Sequence, residues 1–512
     1  MTTKHLPGSF FSRTFVASCA LLLAACHTPP VASGKSPAEW QAMARADLDA
    51  AHALTLSAHP GAIDRDNPAF LAWAERGYRE AQALIPRVMS YDNAMAAVRY
   101  YIAGFRDGHF IYSDNARKGY PIWVNGWRLE VLGGRYLVDA VITPWPSELP
   151  PLGAELLQCD GRQPASILSE DVRPFSHTSG SPEYEQQQLA SQLWALPMGG
   201  LELKSCQFRL PDAGMRTIAV KYHPVTQDQY FDASAANQRP DPERPGNSYT
   251  VKDGVVWIRA ANFNLRPGTD QARALDAMLT DLAQIKGART IVFDARGNGG
   301  GDSGIGDRIF EAATGGLDYD ERGIERLPRT YAQWRVSDVS IASTERHLAR
   351  RQKVYGDQHP EQLRQSSAFL AQLKAARDKG EPWVVQENGH RVTADDVAQR
   401  QGRLRRFSGT LVLVTDANCT SACLDFADLI RQVPGALHVG QTTGSDTVYI
   451  DVGDAELPSK NRLFLPLKVW RNRLRANNEQ LVPHVKLPVL ITDDAAVRAA
   501  TLAALGSRLP SP

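Results

Sequence analysis

Charge of one sign is not in excess in this sequence. Lys and Arg number 57 against 56 Asp and Glu, a formal net of +1 over 512 residues. That balance gives no basic field for a nucleic acid backbone, so nucleic acid is not an expected partner. Cysteine is scarce, at six, and none of the six shows metal-ligand spacing. No metal and no cofactor is therefore expected. Beyond residue 25 no apolar run is long enough to cross a membrane. Lysine is missing from the whole stretch between Ser421 and Lys460.

What is present fits a globular protein of more than one domain. Hydrophobic residues make up 43%, and 512 residues exceed one ordinary core, so two or three domains are expected. Residues 37–105 carry helical patterns. Ser36-Pro37-Ala38-Glu39 reads as a cap and first turn, with Trp40, Met43, Ala44, Leu48 and Ala51 on one face. Residues 110–222 change to short strand-like runs, among them Tyr120–Val124, Leu129–Leu132 and Tyr136–Val141, separated by Gly126 and Gly133-Gly134. Pro240–Gly246 is a linker signal. From 249 strands and helices alternate, and Thr290–Phe293 is a continuous apolar run of the kind that buried parallel strands show. Residues 321–405 interrupt this alternation with charged helical sequence and a hairpin expected near Trp383-Val384-Val385. The last amphipathic helix covers 493–507.

The N-terminus reads as a targeting segment. Lys4 and Arg13 precede the short apolar run Phe15–Leu23. Leu23-Ala24-Ala25-Cys26 resembles a bacterial lipoprotein lipobox, which implies lipidation of Cys26 and loss of residues 1–25. The other reading is an ordinary signal peptide cut after Ala25. Residues 26–36 would then be a flexible tether. This places the protein in the cell envelope, on the periplasmic side, where disulfides form. Cys159 and Cys206 each sit in a strand-like segment and make an expected bridge. Cys419 and Cys423 are either bridged or small buried hydrophobes.

The chemistry-bearing residues fall in four places. Leu411–Thr415 is a strand that stops at small polar residues, and a helical pattern starts after Thr420-Ser421-Ala422. A serine there sits where free amides and the helix dipole stabilise negative charge. It is either a nucleophile or a simple helix N-cap. Serine chemistry also needs a base, a carboxylate behind that base and amides for the oxyanion. His109, in Arg106-Asp107-Gly108-His109, Glu479, and the amides of Ala422, Gly299 and Gly300 are the candidates. Taken singly, His109 reads as a surface or satisfied histidine and Glu479 as solvated surface. Asp294, Arg296 and Asn298 follow the buried strand and are expected to brace the glycine turn. That turn has a rival meaning, because Gly299-x-Gly301-x-x-Gly304 after a strand matches a dinucleotide fingerprint, with Asp318 or Asp320 as the ribose acid.

Together these pieces resemble the S41 serine peptidases, the family of C-terminal processing proteases and tricorn core proteases. Asp294-x-Arg296-x-Asn298-x-Gly300 is similar to the family's D-x-R-x-N-x-G signature. Thr420-Ser421-Ala422 is similar to its nucleophile motif, His438–Gly444 to the segment after it, and Glu479–Pro483 to its closing motif. The processing-protease branch uses a lysine where this chain has Ser445. The tricorn-like branch uses an N-terminal histidine and a glutamate about sixty residues past the serine. Glu479 lies 58 residues past Ser421 (479 − 421), and His109 holds the D-x-H position. The resemblance therefore implies a Ser421/His109/Glu479 triad. Gly108 departs from the serine usual before the histidine, and Leu424 from a usual acid. The segment Pro150–Gly161 resembles part of a PDZ domain, so 116–239 is read as either PDZ-like or a plain β-domain.

The implied fold is α/β: an S41-type (ClpP/crotonase-like) core with an N-terminal helical region and a PDZ-like or other small β-domain. The expected boundaries are 1–25 signal, 26–36 tether, 37–115 helical region and 116–239 β-rich domain. They continue with 247–320 as the first half of the core, 321–405 as insertion, and 406–512 as the second half with the C-terminal helix. The implied function is a lipid-anchored periplasmic serine endopeptidase acting on protein or peptide substrates. A non-catalytic carrier of peptide or apolar ligand on the same scaffold, and a dinucleotide-dependent oxidoreductase, are the alternatives.

Overall fold

Ser36 accepts the Glu39 amide while Glu39 reaches back to the Ser36 amide, so a capping box opens helix α1, Pro37–Ala58. Trp40, Ala44, Leu48 and Ala51 form the buried stripe of that helix. Helices α2 (Pro68–Leu84) and α3 (Tyr91–Ala103) share its core. The computed structural model describes residues 35–115, 120–176, 182–195, 202–226, 228–230, 246–266, 268–316, 331–356, 360–387, 407–473, 475–491 and 493–507. Cys26, the signal and all but the last two tether residues lie outside them. So do Asp318, Asp320 and nearly all of the 240–246 linker.

After α3 the chain turns at Arg106–His109 and enters β1 (Ile111–Ser113). β2 (Ile122–Val124) pairs with β8 (His223–Val225). Between them β3 (Trp127–Leu132), β4 (Arg135–Val141), β5 (Glu155–Cys159), β6 (Ser205–Arg209) and β7 (Met215–Ala219) form one antiparallel sheet in sequence order. Its interior collects Trp127, Leu129, Leu156 and Phe208. Cys159 and Cys206 face each other across β5 and β6 and are disulfide-bonded.

The central sheet runs β18-β15-β14-β11-β10-β9. β10 (Val255–Arg259), β11 (Thr290–Asp294), β14 (Thr410–Thr415), β15 (Leu437–Gly440) and β18 (Val485–Lys486) are parallel, and only β9 (Ser248–Lys252) is antiparallel. β11 and β14 are covered on both faces. One face packs on Asp270–Leu282, Ser303–Thr314 and Ala422–Arg431, the other on the C-terminal helix Asp494–Gly506. Burial on both sides is why these strands read as unbroken apolar runs.

In the insertion, the strand expected near Trp383 finds its partner among the described residues far back in sequence, not beside it. β13 (Trp383–Glu387) pairs with β12 (Tyr331–Arg335), across the helices Asp338–Tyr355 and Pro360–Asp378. β12 continues onto β17 (Arg462–Arg471), which takes β1 farther along the same edge and β16 (Tyr449–Glu456) along the other. That second sheet matters for function. β1 carries the His109 turn into it, and β17 fixes that turn beside the central sheet.

Candidate active site

The carboxyl ends of parallel strands are where α/β folds place ligands. Here β11 ends at Asp294 and β14 at Thr415, and the two following loops meet. Ser421 stands before the helix Ala422–Arg431 with φ 54° and ψ −127°. A non-glycine residue in that region is strained, and such strain concentrates at functional sites. Although Ser421 occupies the cap position, its side chain makes no capping hydrogen bond. The N-cap reading therefore does not describe it. Its Oγ lies 3.2 Å from His109 Nε2 instead, joining residues 312 apart in sequence. Cys419 and Cys423 are disulfide-bonded around it.

The glycine turn is locked to the Ser421 loop by a residue the sequence reading missed. Asp416, wholly buried, accepts the Gly297 amide at 2.9 Å through Oδ2 and the Asn418 amide at 3.0 Å through Oδ1. Burial raises its pKa against those bonds. The signal was available as a lone acid at the end of an apolar strand. Asn298 donates to the Ala260 carbonyl at 2.7 Å, and its Oδ1 accepts the Gly300 amide at 2.9 Å. This corrects one oxyanion candidate, since the Gly300 N–H is already engaged. The Ala422 amide, at the first position of its helix, and the Gly299 amide carry no such bond. Gly300 has φ +95°, and a Cβ on it would lie 2.8 Å from the Ser421 Cβ. Only glycine allows the turn to approach the serine so closely.

Asp294 and Arg296 form the expected brace. Arg296 grips both Asp294 oxygens, at 2.8 Å from Nε and 2.5 Å from Nη2. It also donates to the Ile491 carbonyl at 2.8 Å and to Asp494 at 2.6 Å, which ties the turn to the C-terminal helix. Trp257 Nε1 donates to Asp294 as well. Burial alone would lift the Asp294 pKa, but Arg296 outweighs it and the net shift is downward.

The carboxylate expected behind His109 is not where the spacing put it. Glu479 is exposed, and its Oε2 accepts the Ala476 amide at 2.7 Å within its own turn. The turn does abut the histidine loop, because Asn478 Nδ2 donates to the Arg106 carbonyl at 3.0 Å. Yet no hydrogen bond or ion pair joins Glu479 to His109 in the structure, and His109 Nδ1 is buried without a hydrogen-bond partner. The nearby carboxylate is Asp107, whose Oδ1 accepts the His109 amide at 2.8 Å and lies 3.9 Å from Nδ1.

A cleft of about 590 Å³ opens over these atoms, lined by Ser421, His109, Gly301, Asp425, Val452 and Trp470 among others. The helix terminus at this turn does not favour the dinucleotide reading. Asp302 caps the helix Ser303–Thr314 by accepting the Gly304 amide, so a carboxylate already occupies the end a pyrophosphate would need. A Cβ on Gly301 would strike the Phe263 carbonyl at 2.3 Å, so that side of the turn is filled by protein.

No protein-family model matches the sequence, and no curated protein matches it. Solved structures do. A point mutant of CPAF superposes with a TM-score of 0.63 at 14% identity, covering 93% of this chain and 99% of that one. Mature CPAF complexed with lactacystin gives 0.60 at 14%, covering 91% and 99%. The photosystem II D1 C-terminal processing protease aligns over 90% and 97% at 13% identity, with a TM-score of 0.38, too low to add weight. The chain has an S41-type peptidase fold.

Proposed function

We propose that this protein is a serine endopeptidase, anchored by lipid at Cys26 on the periplasmic side of the cell envelope. The observation that carries the reading is the 3.2 Å contact between Ser421 Oγ and His109 Nε2, made on a strained serine at a helix N-terminus. His109 removes the hydroxyl proton as Oγ attacks a peptide carbonyl. The Ala422 and Gly299 amides face the developing oxyanion, where the helix N-terminus favours negative charge. His109 returns the proton to the leaving amine, and water, activated by the same imidazole, releases the acyl group. Asp416 and the Asp294–Arg296 brace hold the two loops in register and take no part in proton transfer.

A fluorophosphonate probe tests this directly. Covalent labelling of the folded wild type, lost in Ser421→Ala, is the expected result. A folded wild type that takes no label would instead support the carrier reading. The anchor has its own measurement. Metabolic incorporation of a palmitate analogue is expected for the wild type and not for Cys26→Ser, and incorporation by both would remove Cys26 from the account.

A further inference from the structure

We propose that the base of this site is oriented from inside the protein, by Asp107 and through it by His59, and not by the carboxylate of Glu479. The inference rests on Ser421 and His109 acting as nucleophile and base. Asp107 is 1% exposed. Its Oδ1 accepts the His109 amide at 2.8 Å and the Thr447 hydroxyl at 3.0 Å, and stands 3.9 Å from His109 Nδ1. Its Oδ2 stands 3.6 Å from Nε2 of His59, which is fully buried.

The tautomer of His59 follows from its bonds. Nδ1 accepts the Gly61 amide at 3.0 Å, so Nε2 carries the proton and points it at Asp107. Phe70, Phe110 and Tyr449 surround the ring, at 4.5, 5.0 and 5.2 Å between centroids. Burial among them lowers the His59 pKa, against the pull of Asp107 and Asp64, and favours the neutral donor.

Among the described residues, His59 Nε2, Asp107 Oδ2 and His109 Nδ1 are all buried without an ordinary hydrogen-bond partner, and all three belong to this relay. Buried polar groups are ordinarily satisfied, and each exception calls for a reason. A common reason covers all three. Shortening the two contacts by roughly 0.9 and 0.6 Å gives ordinary N–H···O bonds from both histidines to Asp107. Catalytic hydrogen bonds are often long before substrate arrives. The carboxylate would then hold the His109 tautomer with Nδ1 protonated, leaving Nε2 to take the serine proton, and would stabilise the imidazolium once formed. His59 in turn holds the carboxylate. Both are positioning residues, since neither touches substrate.

The groups facing this chain are few. Asp64 lies beside His59 but is engaged by Arg471 and the Tyr449 hydroxyl. Thr447 and Tyr449 face Asp107 and His59 from β16 and its approach, and the Glu479 turn borders the outer side of the loop.

The test is the second-order rate of fluorophosphonate labelling, measured from pH 5 to 9 on the full chain. Asp107→Asn is expected to label about 10³-fold or more slowly. Its acidic limb should move to lower pH, because a lost carboxylate no longer favours the charged imidazole. His59→Phe should slow labelling roughly tenfold, and His59→Gln, which keeps an N–H toward Asp107, should restore most of it. Glu479→Gln should cost no more than about tenfold. The proposal is overturned if Glu479→Gln slows labelling by 10²-fold or more, a result that stands even if Asp107→Asn fails to fold. It is also overturned if folded Asp107→Asn keeps the wild-type acidic limb. No labelling of the wild type overturns the peptidase reading and this inference together. Labelling that depends on Glu479 overturns the inference alone.

Discussion

Asp294 and Asp107 are both carboxylates with 1% exposure, and both stand beside the site. Asp294 is saturated: Arg296 grips both oxygens, Trp257 adds a third donor, and its pKa is net lowered. Among the described residues Asp107 meets no Lys or Arg, and its Oδ2 meets only His59 Nε2, at a long 3.6 Å. The difference separates two jobs. A saturated buried pair fixes a loop and resists change, because removing one partner strands the other charge. A partly satisfied chain that ends on a strained serine has somewhere to move, as a site that binds a transition state better than a ground state requires.

The contrast can be broken experimentally, from the largest effect to the smallest. His109→Ala should lower the fluorophosphonate labelling rate by about 10³-fold or more while leaving the urea midpoint nearly unchanged. A large loss of stability there would blur the line between the two regions. Arg296→Ala should do the reverse to stability, costing about 3–5 kcal/mol in urea unfolding, since Asp294 would be left buried and unpaired.

Glu130 offers a second unsatisfied carboxylate. It lies on β3 with Oε2 buried and unbonded, and burial pushes its pKa up from 4.5 to about 7. A folded-state pKa above the unfolded one means the folded protein holds the proton more tightly. The contribution of Glu130 to stability is then greatest below pH 4.5, declines as pH rises toward about 7 and levels off above it. The decline should reach at most about 3 kcal/mol. Glu130→Gln should remove it, so the two proteins should differ in Tm at pH 8 and converge at pH 5. Equal Tm at both values would show the carboxylate to be solvated. At the small end, Gly108→Ser should change stability by less than about 0.5 kcal/mol, because a Cβ there meets nothing within 4 Å.

Much of the brace was legible in the sequence, and little of the relay. Asp294 and Arg296 follow an apolar strand directly, so local pattern placed both, and they bond within three residues. Ser421 was legible as a junction residue for the same reason. His109 was named as the base from its motif position, and the strand that carries it to Ser421 pairs with β17, some 350 positions on. No local pattern encodes that pairing. Glu479 shows the limit of spacing. Separation along the chain brought its turn next to His109, but the side chain's direction is set by the Ala476 amide it caps. Asp107 was read only as part of the D-G-H string, and His59 not at all, because its setting depends on aromatics from three separate segments. The strand at Trp383 was found and its partner was not, since two helices separate β12 from β13.

The bridge between Cys419 and Cys423 makes this turn a five-residue covalent ring with Ser421 at its centre. By loop-closure entropy so small a ring adds only about 2 kcal/mol to global stability, against about 4 for the Cys159–Cys206 loop. Its consequence is one of shape retention. Even a transient fraying of the first helical turn would leave Ser421 on a closed hoop, so its hydroxyl would keep its bearing while the helix around it breathes.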